Sequence, residues 1–254
     1  MINFIVRIST DVVSAVFRVV GKTILVKLTG YIQSYFIHLL ENMLALCWRK
    51  YCLEDFEISG KKITIQEKTN DARGTGLIVW DGACVLGKYM EKKFGSTGLN
   101  GKTVIELGAG TGLAGICSSA LGADVVFLTD LDYTLDNIRS NIESNKNFGK
   151  IICAELDWMN NDFLFLEKLK PDIVLMADVA WIVELVPPLV RTLRNLCEYC
   201  RPKELQIILT HQSRSTTTDF VLFSELEKLG FSVKHVDSKE FADCVPVYEI
   251  TFIK

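Results

Sequence analysis

The chain has 254 residues, 49% of them hydrophobic, with 28 basic against 31 acidic side chains and a formal net charge of -3. That near-balance excludes a large electrostatic footprint on nucleic acid and favours a protein or small-molecule ligand over DNA or RNA. The 8 cysteines follow no disulfide framework or paired zinc spacing, and no cleavable secretory signal is evident, which fits a reducing, cytoplasmic setting.

Residues 1–50 are apolar and net basic, with Arg7, Arg18, Lys22 and Lys27 against Asp11 alone before Glu41. The longest nearly uncharged run, Leu28 to Leu40, falls short of the roughly 18 residues a membrane span needs. Low acid content also suits a mitochondrial transit segment, but Arg and Ser are little enriched. Contact with a membrane surface is a further alternative, not the favoured one. The reading adopted is an N-terminal extension, 1–50, preceding a single domain, 51–254, since no Pro/Gly/Ser-rich linker divides the remainder.

Alternation in Asp55 to Ile58 and Ile63 to Gln66, around Ser59-Gly60-Lys61-Lys62, predicts a β-hairpin. A helix follows from about Trp80 to Phe94. The segment Val104-Ile105-Glu106-Leu107-Gly108-Ala109-Gly110-Thr111-Gly112-Leu113-Ala114-Gly115 reads as a buried strand, a glycine turn that brings backbone against a ligand, and an apolar helix whose first amides face that ligand. Val125 to Thr129 forms a second strand ending at Asp130. A crossover helix then presents Leu131, Leu135, Ile138 and Ile142 inward, with Arg139, Asn141 and Glu143 outward.

Ile151 to Leu156 reads as the third strand and Asp172 to Ala177 as a fully buried fourth with Asp178 at its carboxyl end. Pro187 and Pro188 fall in the first turn of the next helix. Leu205 to Thr210 is a fifth strand and Thr217 to Leu229 a helix. Phe231 to Val236 and Val247 to Ile253 are alternating runs. The link Asp237 to Pro246 is shorter than the dozen or more residues of a parallel crossover, so this pair is antiparallel. The whole is a doubly wound α/β domain, and ligands in such sheets bind beyond the carboxyl ends of the strands.

The glycine segment also spells G-x-G-x-x-G from Gly110 to Gly115, with Asp130 near the roughly 20-residue offset of a ribose-binding acid, so glycines alone leave dinucleotide and S-adenosylmethionine both open. Glu106, directly before the first glycine, is ill suited to a pyrophosphate and well suited to a cofactor carrying sulfonium and ammonium charges. Asp130 can grip a ribose diol or merely cap the next helix.

Taken in order, Val79-Trp80-Asp81, Glu106 to Gly112, Thr129-Asp130, Leu156-Asp157-Trp158 and Met176-Ala177-Asp178-Val179-Ala180-Trp181 resemble the seven-strand methyltransferases of methyltransferase family 16, over about residues 52 to 254. The resemblance implies a Rossmann-like seven-strand sheet, S-adenosyl-L-methionine as cofactor and a protein lysine as acceptor. The family includes enzymes acting on Hsp70-type chaperones, a AAA ATPase and translation elongation factors. It implies that Trp80, Gly108, Ala109, Gly110, Asp130, Trp158 and Ala177 line the cofactor pocket, which Glu106 joins on charge grounds. It puts Asp178 and Trp181 at the family's D-x-x-Y position beside the transferable methyl.

Trp181 departs from the usual Tyr: an aromatic wall for an alkylammonium survives the exchange, hydroxyl chemistry does not. On this reading Asp178 orients the acceptor amine by a hydrogen bond while Trp181 walls its aliphatic stem, with no metal and no covalent nucleophile. His211 after the fifth strand either faces the cleft or serves a turn, and His38 and His235 read as structural. Cys197 and Cys200 read as reduced helix cysteines. Two rivals stand beside this reading: an NAD(P)-dependent oxidoreductase, resting on G-x-G-x-x-G and Asp130, and a non-catalytic interaction protein that keeps the fold, motivated by Trp181 and the N-terminal extension.

Overall fold

The structure, a computed structural model, describes residues 53–70, 72–160, 170–200, 205–237, 241 and 245–253. All belong to one compact unit, Lys50–Lys254, and the expectations for residues 1–50, His38 among them, lie outside the described residues. After a short 3-10 turn, Leu53–Asp55, the elements run β1 (Glu57–Ile58), β2 (Lys61–Lys62), α1 (Asp81–Phe94), β3 (Thr103–Leu107), α2 (Leu113–Ala120), β4 (Val125–Asp130), α3 (Asp132–Ser144) and β5 (Lys150–Glu155). They continue as β6 (Ile173–Ala177), a 3-10 turn at Val183–Leu185, α4 (Val186–Cys200), β7 (Gln206–Thr210), α5 (Thr216–Lys228), β8 (Phe231–Val236) and β9 (Val247–Phe252).

Seven strands form one sheet in the order β5-β4-β3-β6-β7-β9-β8. The first five lie parallel, whereas β9 runs antiparallel to β7, and β8 to β9, with Phe231 opposite Phe252 and Val236 opposite Val247. The expected α/β sheet with an antiparallel terminal pair is thus the fold. Strand order reverses between β3 and β4 on one side and β6 on the other, which opens a crevice at their carboxyl ends.

Side-chain alternation divides the core between the two sheet faces. Val104, Val126, Leu128, Ile173 and Leu175 pack with Val85, Leu86, Leu113, Ile116, Leu135 and Ile138 of α1, α2 and α3. Ile105, Leu107, Val174, Met176, Ile207 and Leu209 pack with Leu189, Val190, Leu193, Leu222 and Leu226 of α4 and α5. Among the described residues no helix is long and apolar enough to cross a membrane.

Three details differ from the sequence reading. The hairpin turn is the two-residue pair Ser59-Gly60, both at positive φ (51° and 72°), and Lys61 and Lys62 already pair with Ile58 and Glu57. Such a turn matches the twist of the flanking strands better than a four-residue loop. Leu131 is 40% exposed, because it precedes the first turn of α3 rather than joining its buried stripe. Asn141, expected outside, is fully buried and belongs to a ladder at every fourth residue.

In that ladder Asn145 accepts from the Thr64 amide (3.0 Å) and donates to its carbonyl (2.7 Å). Asn141 accepts from Gln66 (2.8 Å) and donates to the carbonyls of Gln66 and Thr111. Asn137 donates to Gln66 as well. Side-chain amides on one helix face thereby supply the hydrogen bonds that a neighbouring strand would otherwise give residues 64–66.

Candidate cofactor and acceptor site

At the carboxyl end of β3 the chain turns through Gly108, Gly110 and Gly112 with φ of 67°, 57° and 84°. A Cβ at Gly108 would stand 2.8 Å from the Val179 side chain and 3.2 Å from the Trp158 ring, and one at Gly110 would stand 3.2 Å from the Gly76 carbonyl. Three chain segments, after β5, after β6 and before α1, therefore close over the glycine loop at backbone distance. Ala109 is buried, with its amide bound to the Thr129 carbonyl of β4. Trp158 is half-buried, and its indole Nε1 is buried with no hydrogen-bond partner among the described residues.

Two carboxylates hold this loop. Asp130, half-buried at the end of β4, accepts from the Gly110 amide with Oδ2 and from the Leu131 amide with Oδ1, each at 2.7 Å. Burial raises its pKa, and the two amides and Thr134 pull it back. Glu106 is 1% exposed, and its Oε2 accepts from the Gly115 amide at 2.8 Å. Burial pushes its pKa up to about 8, against the Gly115 hydrogen bond and with help from the Asp130 charge.

Glu106 shares its sheet face with Val104, so it points beneath α2 rather than toward the open side of the loop. It caps a helix whose own N-cap, Gly112, has no side chain to offer. A pyrophosphate would compete with the Glu106 carboxyl oxygen for the amides of the helix terminus.

Across the crevice, Ala177 ends β6, half-buried, and Asp178 follows at φ 52° with its side chain 1% exposed. A non-glycine residue at such a φ costs about 1 kcal/mol or more and persists only where its surroundings hold it. They do: Oδ2 accepts from the Gly82 amide (3.1 Å), Oδ1 from the Gln212 amide (2.7 Å), and the Asp178 amide donates to the Thr210 carbonyl (2.9 Å). The first turn of α1 is also tied by Thr210 Oγ1 to the Gly82 carbonyl (2.9 Å). A Cβ on Gly82 would stand 2.6 Å from the Asp178 carboxylate, so only glycine permits this approach.

Trp80, the N-cap residue of α1, is half-buried and donates through Nε1 to the Thr75 carbonyl at 3.1 Å. The guanidinium of Arg214 lies 4.5 Å from its ring centroid and 3.6 Å from Asp178 Oδ2. Arg214 also donates to Gln212 Oε1 at 2.9 Å. Trp181 is half-buried, three residues beyond Asp178. His211 is turned inward, 4% exposed, with Nε2 2.8 Å from Asp219 Oδ1 and its amide bound to the Pro246 carbonyl, while Ser213 also bonds Asp219. His211 thus serves the loop that carries Gln212 and Arg214.

Trp158 is brought over the Gly108 to Gly110 loop, Asp130 is bound to its Gly110, and Asp178 shares a cluster with Trp80. Glu106 lies under the loop. Gly76, Gly82, Val179 and Arg214 are additions that the sequence reading did not single out. Gly82 follows the Trp80-Asp81 pair directly, a signal within reach. Arg214 carries no such signal, since only the fold puts it beside Trp80.

The family model for lysine methyltransferases matches residues 57–229. Protein N-lysine methyltransferase METTL21A of Mus musculus is 36% identical over 151 residues, 57% of this chain and 66% of that protein. EEF1A lysine methyltransferase 3 of Xenopus tropicalis is 36% identical over 198 residues, 77% of this chain and 84% of that protein. The matched stretch thus spans just under two thirds of the METTL21A relative. Among solved structures, PH1948 of Pyrococcus horikoshii, a proposed RNA methyltransferase, has a TM-score of 0.51 at 15% identity, covering 75% of this chain and 94% of its own. That likeness concerns the fold.

Proposed function

Because the chain belongs to the lysine methyltransferase family, whose cofactor is S-adenosylmethionine, we propose that it is a protein-lysine N-methyltransferase acting on a chaperone, a AAA ATPase or a translation factor. The observation that carries this reading is the glycine cradle under Trp158 and Val179 at the carboxyl end of β3. Its residues fit the cofactor: an orphaned buried indole N–H at Trp158, an acid at the end of β4, and close-packed backbone where a bulky side chain cannot stand. On this reading Trp80, Gly108, Ala109, Gly110, Asp130, Trp158 and Ala177 line the pocket, and Glu106 fixes the loop from below. When bound, S-adenosylmethionine supplies a methyl group activated by its sulfonium.

The chain's own residues align the acceptor and exclude water. A lysine has a reference pKa of about 10.4 and attacks only as the neutral amine, which a partly apolar cleft favours. Trp181 walls the aliphatic stem. Asp178, with its oxygens already accepting from two backbone amides, acts by holding the first turn of α1 and the loop after β7 in register.

The same reading takes residues 1–50 as an extension to a methyltransferase domain of 51–254, with neither nucleic acid nor membrane as partner. A cytoplasmic location is supported by the reduced thiols at Cys117 and Cys153.

The test is transfer of labelled methyl from S-adenosylmethionine into a size-fractionated cell extract, with Gly108→Val in parallel. A discrete labelled protein containing methyl-lysine, absent with the variant, is expected. Binding of S-adenosylhomocysteine without any label would overturn the activity, and a nicotinamide response would turn the reading to an oxidoreductase.

A further inference from the structure

A carboxylate at 1% exposure beside a tryptophan face offers what an alkylammonium seeks, an anion and a π surface. Both are already taken by a cation of the chain itself: Arg214 lies 4.5 Å from the Trp80 centroid and 3.6 Å from Asp178 Oδ2, anchored by Gln212 Oε1 at 2.9 Å. The side chain of Arg214 is 26% exposed, so it lines the crevice rather than projecting into solvent. Its loop is fixed from behind by the His211–Asp219 pair and by the Gln212 amide on Asp178. The arginine is thus a built part of the cleft.

Resting on the lysine reading above, we infer that Arg214, and not the incoming amine, is the countercharge of Asp178, and that this pairing lets the acceptor lysine enter the cleft as a neutral amine. An unpaired carboxylate beside the acceptor would hold it as the ammonium, whose nitrogen has no lone pair to give. With Arg214 in place the negative charge is offset, and a fixed positive charge nearby further favours loss of the proton. That proton goes to solvent. The nitrogen lone pair then forms the new bond to the methyl carbon, and the electron pair of the broken carbon–sulfur bond stays on sulfur.

Ionisable groups on the packed elements include Asp178 after β6, Asp81 at the start of α1, His211 and Asp219 paired with each other, and Tyr248 of β9, whose pKa is raised by burial and the Asp219 charge. Of these, Asp178 lies 3.6 Å from the Arg214 guanidinium through Oδ2. Arg214 is on this view a positioning residue that acts through Asp178 and the field of the cleft.

The test is the pH profile, from pH 6.5 to 10, of labelled methyl transfer into the extract protein that the unaltered enzyme labels, for Arg214→Gln, Arg214→Lys, Asp178→Asn and the double variant. Arg214→Gln is expected to move the acid limb up by about one pH unit, a roughly tenfold lower rate at pH 7.5 that is recovered at high pH, measured at saturating S-adenosylmethionine. Arg214→Lys keeps the limb in place, Asp178→Asn moves it down, and the double variant returns it toward the native position.

A uniform loss at every pH with an unmoved limb would overturn the inference, leaving Arg214 a purely structural role. If Arg214→Gln does not fold, Asp178→Asn decides alone through the downward shift. No label from the unaltered protein would overturn the lysine reading and this inference with it, whereas a labelled band with unmoved limbs overturns this inference only.

Discussion

On the side of β3 and β4 the crevice is made of backbone: glycines at positive φ, amides bound by Glu106 and Asp130, and the Gly76 carbonyl against Gly110. On the side of β6 and β7 it is made of side chains from distant segments, with Asp178, Trp80, Arg214 and Gln212 converging from three connections. A backbone site accepts one shape and tolerates little substitution. A side-chain site can be retuned by single replacements while the fold is kept.

The sharpest way to break this contrast is Asp178→Ala. Removing a buried carboxylate orphans two backbone amides and takes from Arg214 its carboxylate, so unfolding free energy should drop by about 3–5 kcal/mol. An unchanged midpoint in chemical denaturation would show that the carboxylate is no anchor. Gly108→Ala tests the other half: a residue forced to φ 67° costs about 1–2 kcal/mol, and its Cβ stands 2.8 Å from Val179. Calorimetric titration should show S-adenosylhomocysteine affinity lower by at least about tenfold, with the fold retained.

Glu106 gives a pH signature. Its folded pKa of about 8 lies above the roughly 4.3 of an unfolded glutamate. Between those values the native state holds a proton that the unfolded chain has released, so stability falls as pH rises through the window and levels above it. Glu106→Gln keeps an acceptor for Gly115 but has no proton to lose. Relative to it, the native chain should lose up to about 1.4 kcal/mol per pH unit from pH 5 to 8, and parallel stability curves would refute the buried protonated state. The smallest effect belongs outside both halves: Glu198→Ala, which removes an exposed partner of Arg194, should change stability by under about 0.5 kcal/mol.

The same contrast governs how much could be read beforehand. The strand, glycines and helix from Val104 to Gly115 are contiguous, and Asp130 lies one crossover away, so the glycine-turn half was legible in residue types and spacing. So was the antiparallel end of the sheet, because the Asp237 to Pro246 link is too short for a crossover. The direction of Glu106 was also within reach, since strand alternation puts it on the face of Val104. Arg214 was not, because its approach to Trp80 depends on where two loops more than a hundred residues apart meet. The asparagines at 137, 141 and 145 did carry a signal, a period of four on a helix face, but a polar period reads as solvent until its partner, residues 64–66, is placed against it.

Asn141 joins two backbones through one carboxamide: it holds both Gln66 polar groups and the Thr111 carbonyl inside the glycine turn. An opening fluctuation that strips it from one partner strips it from the other, so the 64–66 segment and the turn share one cooperative exchange unit. In deuterated solvent the amides of Thr64 and Gln66 should therefore gain protection together when S-adenosylhomocysteine binds, although neither residue lies in the glycine turn.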